Sequence, residues 1–143
     1  EETCFSFDVI YTRLFGKGKH NIYQFTDDEL LEIDQKILKS EAKVAAASYH
    51  GVRMNTDAVR FVQYKATGEF LPVTSFTGID SVKAVLGEDA SFPISKEDLV
   101  EDQGWKVVDL ALDKRVHLSQ LLSKIPERTY HSIGEVAEVL EMV

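Results

Sequence analysis

Thr26-Asp27-Asp28-Glu29-Leu30-Leu31-Glu32-Ile33-Asp34-Gln35-Lys36-Ile37-Leu38 carries the clearest local signal in the chain. It opens on a capping box: the Thr26 hydroxyl is placed to accept a helix-start N–H, and Glu29 can reach back to the Thr26 amide. Asp27, Asp28 and Glu29 also suit the positive end of a helix dipole. Leu30, Ile33 and Ile37 recur at helical spacing, Val44 and Ser48 continue it, and Leu31, Leu38, Ala42 and Ala45 widen the stripe. Glu32, Lys36, Lys39 and Lys43 fall on the opposite side. The pattern predicts one long amphipathic helix over about 27–49, stopped at Gly51, where glycine takes a left-handed cap at little cost.

On the N-terminal side, Phe5, Phe7, Val9 and Tyr11 alternate, which predicts a strand over 3–15. Gly16-Lys17-Gly18-Lys19 breaks it, and 20–25 reads as the returning strand of a hairpin. On the C-terminal side, 58–66 alternates Val59 and Phe61 against Arg60, Val62 and Tyr64, a strand pattern. Thr67-Gly68 then makes a turn, and 70–76 a partner strand that Pro72 confines to an edge. A short helix follows over 79–86, ended by Gly87, and Ser95 caps another that runs to about Gln103. Residues 105–112 read as a strand, and 116–125 and 132–142 as two closing helices split by Pro126. Tyr23-Gln24-Phe25-Thr26 and Thr74-Ser75-Phe76-Thr77 faintly echo each other, although strand-then-cap junctions are common. The expected fold is α+β: a mainly antiparallel sheet of about four or five strands, the long helix on one face, and a C-terminal helical pair.

With 143 residues and no linker-like or low-complexity tract, the chain reads as one domain over 1–143. It begins Glu1-Glu2 rather than with Met, which fits an excised domain or a processed form. Sixteen basic against 24 acidic residues leave a formal net charge of −8. That charge repels nucleic-acid backbones and anionic lipid, and attracts basic partners. No apolar run approaches the roughly 18 residues of a membrane-spanning helix. Cys4 is the single cysteine, so an internal disulfide is impossible, and a reducing, cytoplasmic compartment is expected.

The strongest candidate binding site is the loop Gly16-Lys17-Gly18-Lys19-His20, with Lys17, Lys19 and His20 as its binding residues. Glycines let a backbone approach an anion, and cationic side chains gather beside them. The P-loop spacing is absent, so a solvated turn with lysines blunting a sheet edge is the competing account. His20, His50, His117 and His131 show no metal-ligand spacing, and no metal or cofactor is expected. Cys4, beside Phe5, suits a small buried hydrophobe better than a nucleophile. No Gly-x-Ser-x-Gly elbow exists. Glu97, Asp98, Glu101 and Asp102 could form an acidic docking patch, but they lack the spacing of a calcium loop.

Residues 113–131 lean basic and supply the first helix and the turn of a helix-turn-helix-like pair. The second helix nevertheless carries Glu135, Glu138 and Glu141 and no base, which disfavours duplex binding. The leading expectation is a non-enzymatic interaction, adaptor or inhibitor domain acting through its acidic surface on a protein partner, a basic one or a second copy. The alternatives are a small-molecule or phosphate-binding domain, with or without catalysis, using the 16–20 loop, and nucleic-acid binding through 113–131.

Overall fold

Asp27–Lys39 forms the helix that the capping box predicts (α1). Thr26 Oγ1 accepts the Glu29 N–H at 3.4 Å, and Glu29 Oε2 accepts the Thr26 N–H at 3.0 Å. The structure, a computed structural model, describes residues 2–6 as backbone and residues 8–19 and 21–143 in full. Its class is α+β, and its contacts divide it into two compact units, Glu1–Leu71 and Pro72–Val143.

In the first unit, strands Glu2–Ser6 (β1) and Val9–Leu14 (β2) pair antiparallel, from Glu2 opposite Arg13 to Ser6 opposite Val9. Residues that read as one strand thus fold back on themselves. Among the described residues, the segment before α1, expected as a returning strand over 20–25, adds no strand to the sheet. After α1, Val44–Tyr49 (β3) lies parallel to β2, so the sheet order is β1-β2-β3. Helix α2, Met54–Thr67, follows and ends at Gly68, whose φ of 79° is the left-handed cap that glycine permits.

The expected long helix over 27–49 stops at Lys39: Ser40 Oγ donates to the Ile37 carbonyl at 2.5 Å, the Ala42 N–H donates to Ser40 Oγ, and Glu41 turns left-handed at φ 53°. Val44 and Ser48 match the helical period, but pairing with β2 outweighs the few tenths of a kcal/mol by which alanines favour helix. The expected strand over 58–66 is helix α2, and 70–76 is irregular. The alternation there arises because α2 buries Asp57 and Arg60 while Val59 and Val62 stay 57% and 66% exposed. Leu14, Phe25, Leu30 and Ile33 form the core of this unit, with Tyr23, Ile37, Ala47, Tyr49, Phe61 and Phe70 packed around them.

The second unit runs α3 (Ile79–Leu86), β4 (Ile94–Ser95), α4 (Lys96–Gln103), β5 (Val107–Ala111), β6 (Lys114–His117), α5 (Leu118–Leu122), β7 (Thr129–Tyr130) and α6 (Ile133–Met142). Ser95 and Ser132 cap α4 and α6 by accepting the Asp98 and Glu135 N–H groups. Strands β5 and β6 form one antiparallel pair, and β4 and β7 another. The expected sheet of about four or five strands is therefore replaced by one three-stranded mixed sheet and two separate pairs. The C-terminal helices do not form a hairpin with each other, because α5 packs on α4 and α6 on α3.

Val82, Leu86, Leu99, Val108, Leu118, Leu122 and Val136 lie at the centre of this core. Asp109, fully buried, organises the loop before α3: it accepts the Val73 and Thr74 N–H groups and pairs with Arg115 at 2.8 Å. Among the described residues, no helix is long and apolar enough to cross a membrane.

Candidate interaction surface

The first unit fixes its helices with a buried charge cluster. Arg60, 1% exposed, lies between Asp57 on its own helix at 3.2 Å and Asp27 at the start of α1, and donates to the Phe25 carbonyl at 2.7 Å. The Phe25 N–H in turn donates to Asp57 Oδ2 at 3.1 Å. Burial pushes the Asp57 carboxyl up to about 6, against the Phe25 amide and Arg60, which lower it. The Tyr49 hydroxyl is raised above the usual phenol range, chiefly by burial and then by Asp57. These charges hold α1 and α2 on the sheet face lined by Leu14, Ala47 and Tyr49.

Among the described residues, the opposite face is open at Val9, Tyr11 and Val44. Ile10, Thr12 and Leu14 are buried, so period-two alternation turns Val9, Tyr11 and Arg13 the other way. Their register partners there are Val44, Ala46 and Ser48. Val9, Tyr11 and Val44 are 40%, 41% and 56% exposed. One end of this face is aromatic and polar: the Arg13 guanidinium sits 5.0 Å from the Phe15 ring centroid, Phe15 stacks on His50 at 4.8 Å, and Ser48 Oγ lies 3.2 Å from His50 Nε2.

Strand β3 closes the sheet on one side. The Val44 N–H donates to the Asp8 carbonyl and the His50 N–H to the Leu14 carbonyl, so even-numbered residues turn their backbone groups toward β2. In a parallel ladder the residues between them face away. Ala45, Ala47 and Tyr49 therefore point their N–H and C=O groups outward, and no strand lies beyond them among the described residues. Val44-Ala45-Ala46-Ala47-Ser48-Tyr49 contains no proline, lysine or carboxylate, and β3 pairs with β2 in unbroken register. Proline, charge and a bulge, three of the devices that protect a sheet edge, are missing from it.

The predicted loop site lies elsewhere in this unit. Gly16, at φ 81°, packs against Tyr23, and a Cβ there would run into that side chain. The Tyr23 hydroxyl donates to Glu29 Oε1 at 2.5 Å, and Lys17 pairs with the same oxygen at 3.2 Å. The loop glycine thus makes room for a tyrosine of the same protein, and Lys17 turns to a carboxylate. The Lys19 carbonyl accepts the Ile22 N–H, and His20 lies outside the described residues. A cleft of about 200 Å³ opens beside Gly16 and Lys17, floored by Leu14, Phe25 and Ile33 and rimmed by Glu29, Glu32 and Lys36.

The other sequence candidates are dispersed. His117 sits in β6 opposite Val107, and the His131 N–H donates to the Glu135 carboxylate. Glu97, Glu101 and Asp102 lie exposed on α4. In the basic 113–131 stretch, Arg115 is held by Asp109, and Arg128 pairs with Glu135 at 3.0 Å while lying over Tyr130. Among the described residues, no group of three or more His, Cys, Asp or Glu side chains is placed to hold a metal ion. The open edge is the feature that sequence reasoning misses. Its only local sign is the break at Ser40-Glu41 ahead of an uncharged stretch that ends in Tyr49. Comparison with protein-family models, curated proteins and solved structures found no match.

Proposed function

We propose that this chain is a protein-interaction module that docks an extended segment of a partner along β3. The observation that supports this reading is the outward, uncharged backbone of Ala45, Ala47 and Tyr49 at the edge of a sheet whose second face is exposed at Val9, Tyr11 and Val44. Strand addition takes its affinity from main-chain hydrogen bonds and its selectivity from alternate side chains. Here the alternate positions would meet Val44 and Ala46 on the open face. The net charge of −8 adds long-range attraction for partners that carry basic residues beside such a segment.

Extended peptides selected by display against the whole chain provide the test. Bound peptides should shift the amide resonances of Ala45, Ala47 and Tyr49 most strongly, and Ala47→Pro should abolish the shifts. If selected peptides bind and leave those amides unmoved, the reading is wrong.

A second reading, a small-ligand pocket, is favoured by the cleft beside Gly16 and Lys17. At about 200 Å³ it falls below the roughly 300–1,000 Å³ of most ligand sites. Its rim of Lys17, Lys36, Glu29 and Glu32 suits a small molecule bearing both charges better than a bare anion. Phosphate and a zwitterionic amino acid can be compared by the thermal shift each produces. Replacing Lys17 and Lys19 together by alanine should remove any phosphate response; identical shifts before and after would eliminate a loop anion site.

A further inference from the structure

We infer that the occupant of the β3 edge is a second copy of this chain, joined antiparallel along Val44–Tyr49 about a two-fold axis at Ala47. The inference rests on the reading of β3 as a docking edge and adds the identity of the partner. Its first support is register. Antiparallel addition matches residues whose N–H and C=O groups both point outward, each matched pair exchanging two hydrogen bonds. On β3 those residues are Ala45, Ala47 and Tyr49, by the parity of the bonds to β2. Only a two-fold axis at Ala47 matches all of them, setting Ala47 against the copy's Ala47 and Ala45 against the copy's Tyr49. The surface is thus complementary to itself, as an isologous dimer requires.

Size and charge agree with that register. Alanines at and beside the axis allow close approach, and each large Tyr49 meets an alanine rather than a second tyrosine. A chain of net charge −8 repels its own copy at long range, so the contact itself must be free of like charges. It is: Val44–Tyr49 carries no ionisable group except the Tyr49 phenol, and Lys43 at its start is held by Asp8 at 3.0 Å. In this register Lys43 falls opposite the copy's Gly51, so no like charges meet. A cationic segment would find no carboxylate along the strand, whereas an uncharged strand loses nothing there. In this register the open face sets Ala46 opposite the copy's Ser48 and Val44 opposite the copy's His50, with the two Ala46 side chains diagonal to each other across the axis.

Sedimentation velocity on the full chain from about 1 µM to about 1 mM spans the affinities at which a contact this small associates. The expected result is a monomer–dimer equilibrium that tightens as salt rises from about 0.01 M to about 1 M, because screening relieves the repulsion between acidic copies. Ala46→Lys places like charges on either side of the axis, and Ala47→Pro removes an outward N–H that bonds nothing among the described residues. Each should weaken the dimer at least about tenfold while leaving the thermal midpoint in dilute solution unchanged. Should Ala47→Pro fail to fold, Ala46→Lys, at an exposed position, carries the test alone. A chain that stays monomeric throughout, or a dimer indifferent to Ala46→Lys, overturns the inference. If the chain is monomeric yet extended peptides shift the Ala45 and Ala47 amides, the second copy is excluded and the docking edge stands. If neither a copy nor a peptide engages those amides, both readings fail.

Discussion

Arg60 is enclosed by Asp57, Asp27 and the Phe25 carbonyl, and its Nε makes no hydrogen bond among the described residues. A charge so deeply buried is tolerated only while its partners remain. Asp57 carries the most distinctive consequence. Its carboxyl is raised from 3.8 to about 6 in the folded chain, so between those values the unfolded chain ionises while the folded one keeps its proton. The folded state then binds more protons, and this residue's contribution to stability falls as pH rises from about 4 to about 6 and is flat above. Asp57→Asn should remove that loss, a difference of up to about 1.4 kcal/mol per pH unit across the window. Paired denaturant titrations of the two proteins check it, and parallel pH profiles would contradict it.

Glycine positions make a second contrast at this scale. Gly16 and Gly68 have similar positive φ, but only at Gly16 would a Cβ meet a neighbour, Tyr23. Gly68→Ala should cost about 1 kcal/mol from backbone strain alone, and Gly16→Ala clearly more. Equal losses in chemical unfolding would mean that Tyr23 does not fill the loop.

At the scale of elements, what can be read in the sequence is whatever is decided locally. Thr26 with Glu29, Ser95 with Asp98, and Ser132 with Glu135 cap helices because a side chain and an amide a few residues apart suffice. Strand β3 has no such local cause. Its alanines favour helix by themselves, and only β2, which lies on the far side of α1 in the chain, makes them a strand. The candidate site is illegible for the same reason: an edge exists only after the sheet does. Helix α2 misleads in another way, since it buries Arg60 and Asp57 and exposes Val59 and Val62, the inverse of the usual stripe. Val62→Glu should therefore change stability by no more than about 0.5 kcal/mol, as at an ordinary surface site. A loss of several kcal/mol, read from thermal or chemical unfolding, would show that this face of α2 is covered.

At the scale of the whole molecule, net charge and local surface pull in different directions. The charge of −8 would favour basic partners, and binding of that kind should weaken as salt is added. The β3 edge is uncharged, and association of copies through it should strengthen with salt. The sign of the salt dependence therefore separates a basic partner from a second copy, whichever basic protein is tried. The central claim, that β3 is an open edge awaiting a strand, is tested most directly by residue-resolved amide hydrogen exchange on the full chain at low and high concentration. In dilute solution Ala46 and Ser48, bonded to β2, should exchange slowly, and Ala45 and Ala47 quickly. At high concentration the fast pair should become slow. Uniform protection along β3 in dilute solution, or fast exchange at Ala45 and Ala47 that persists at every concentration and with every peptide added, would contradict it.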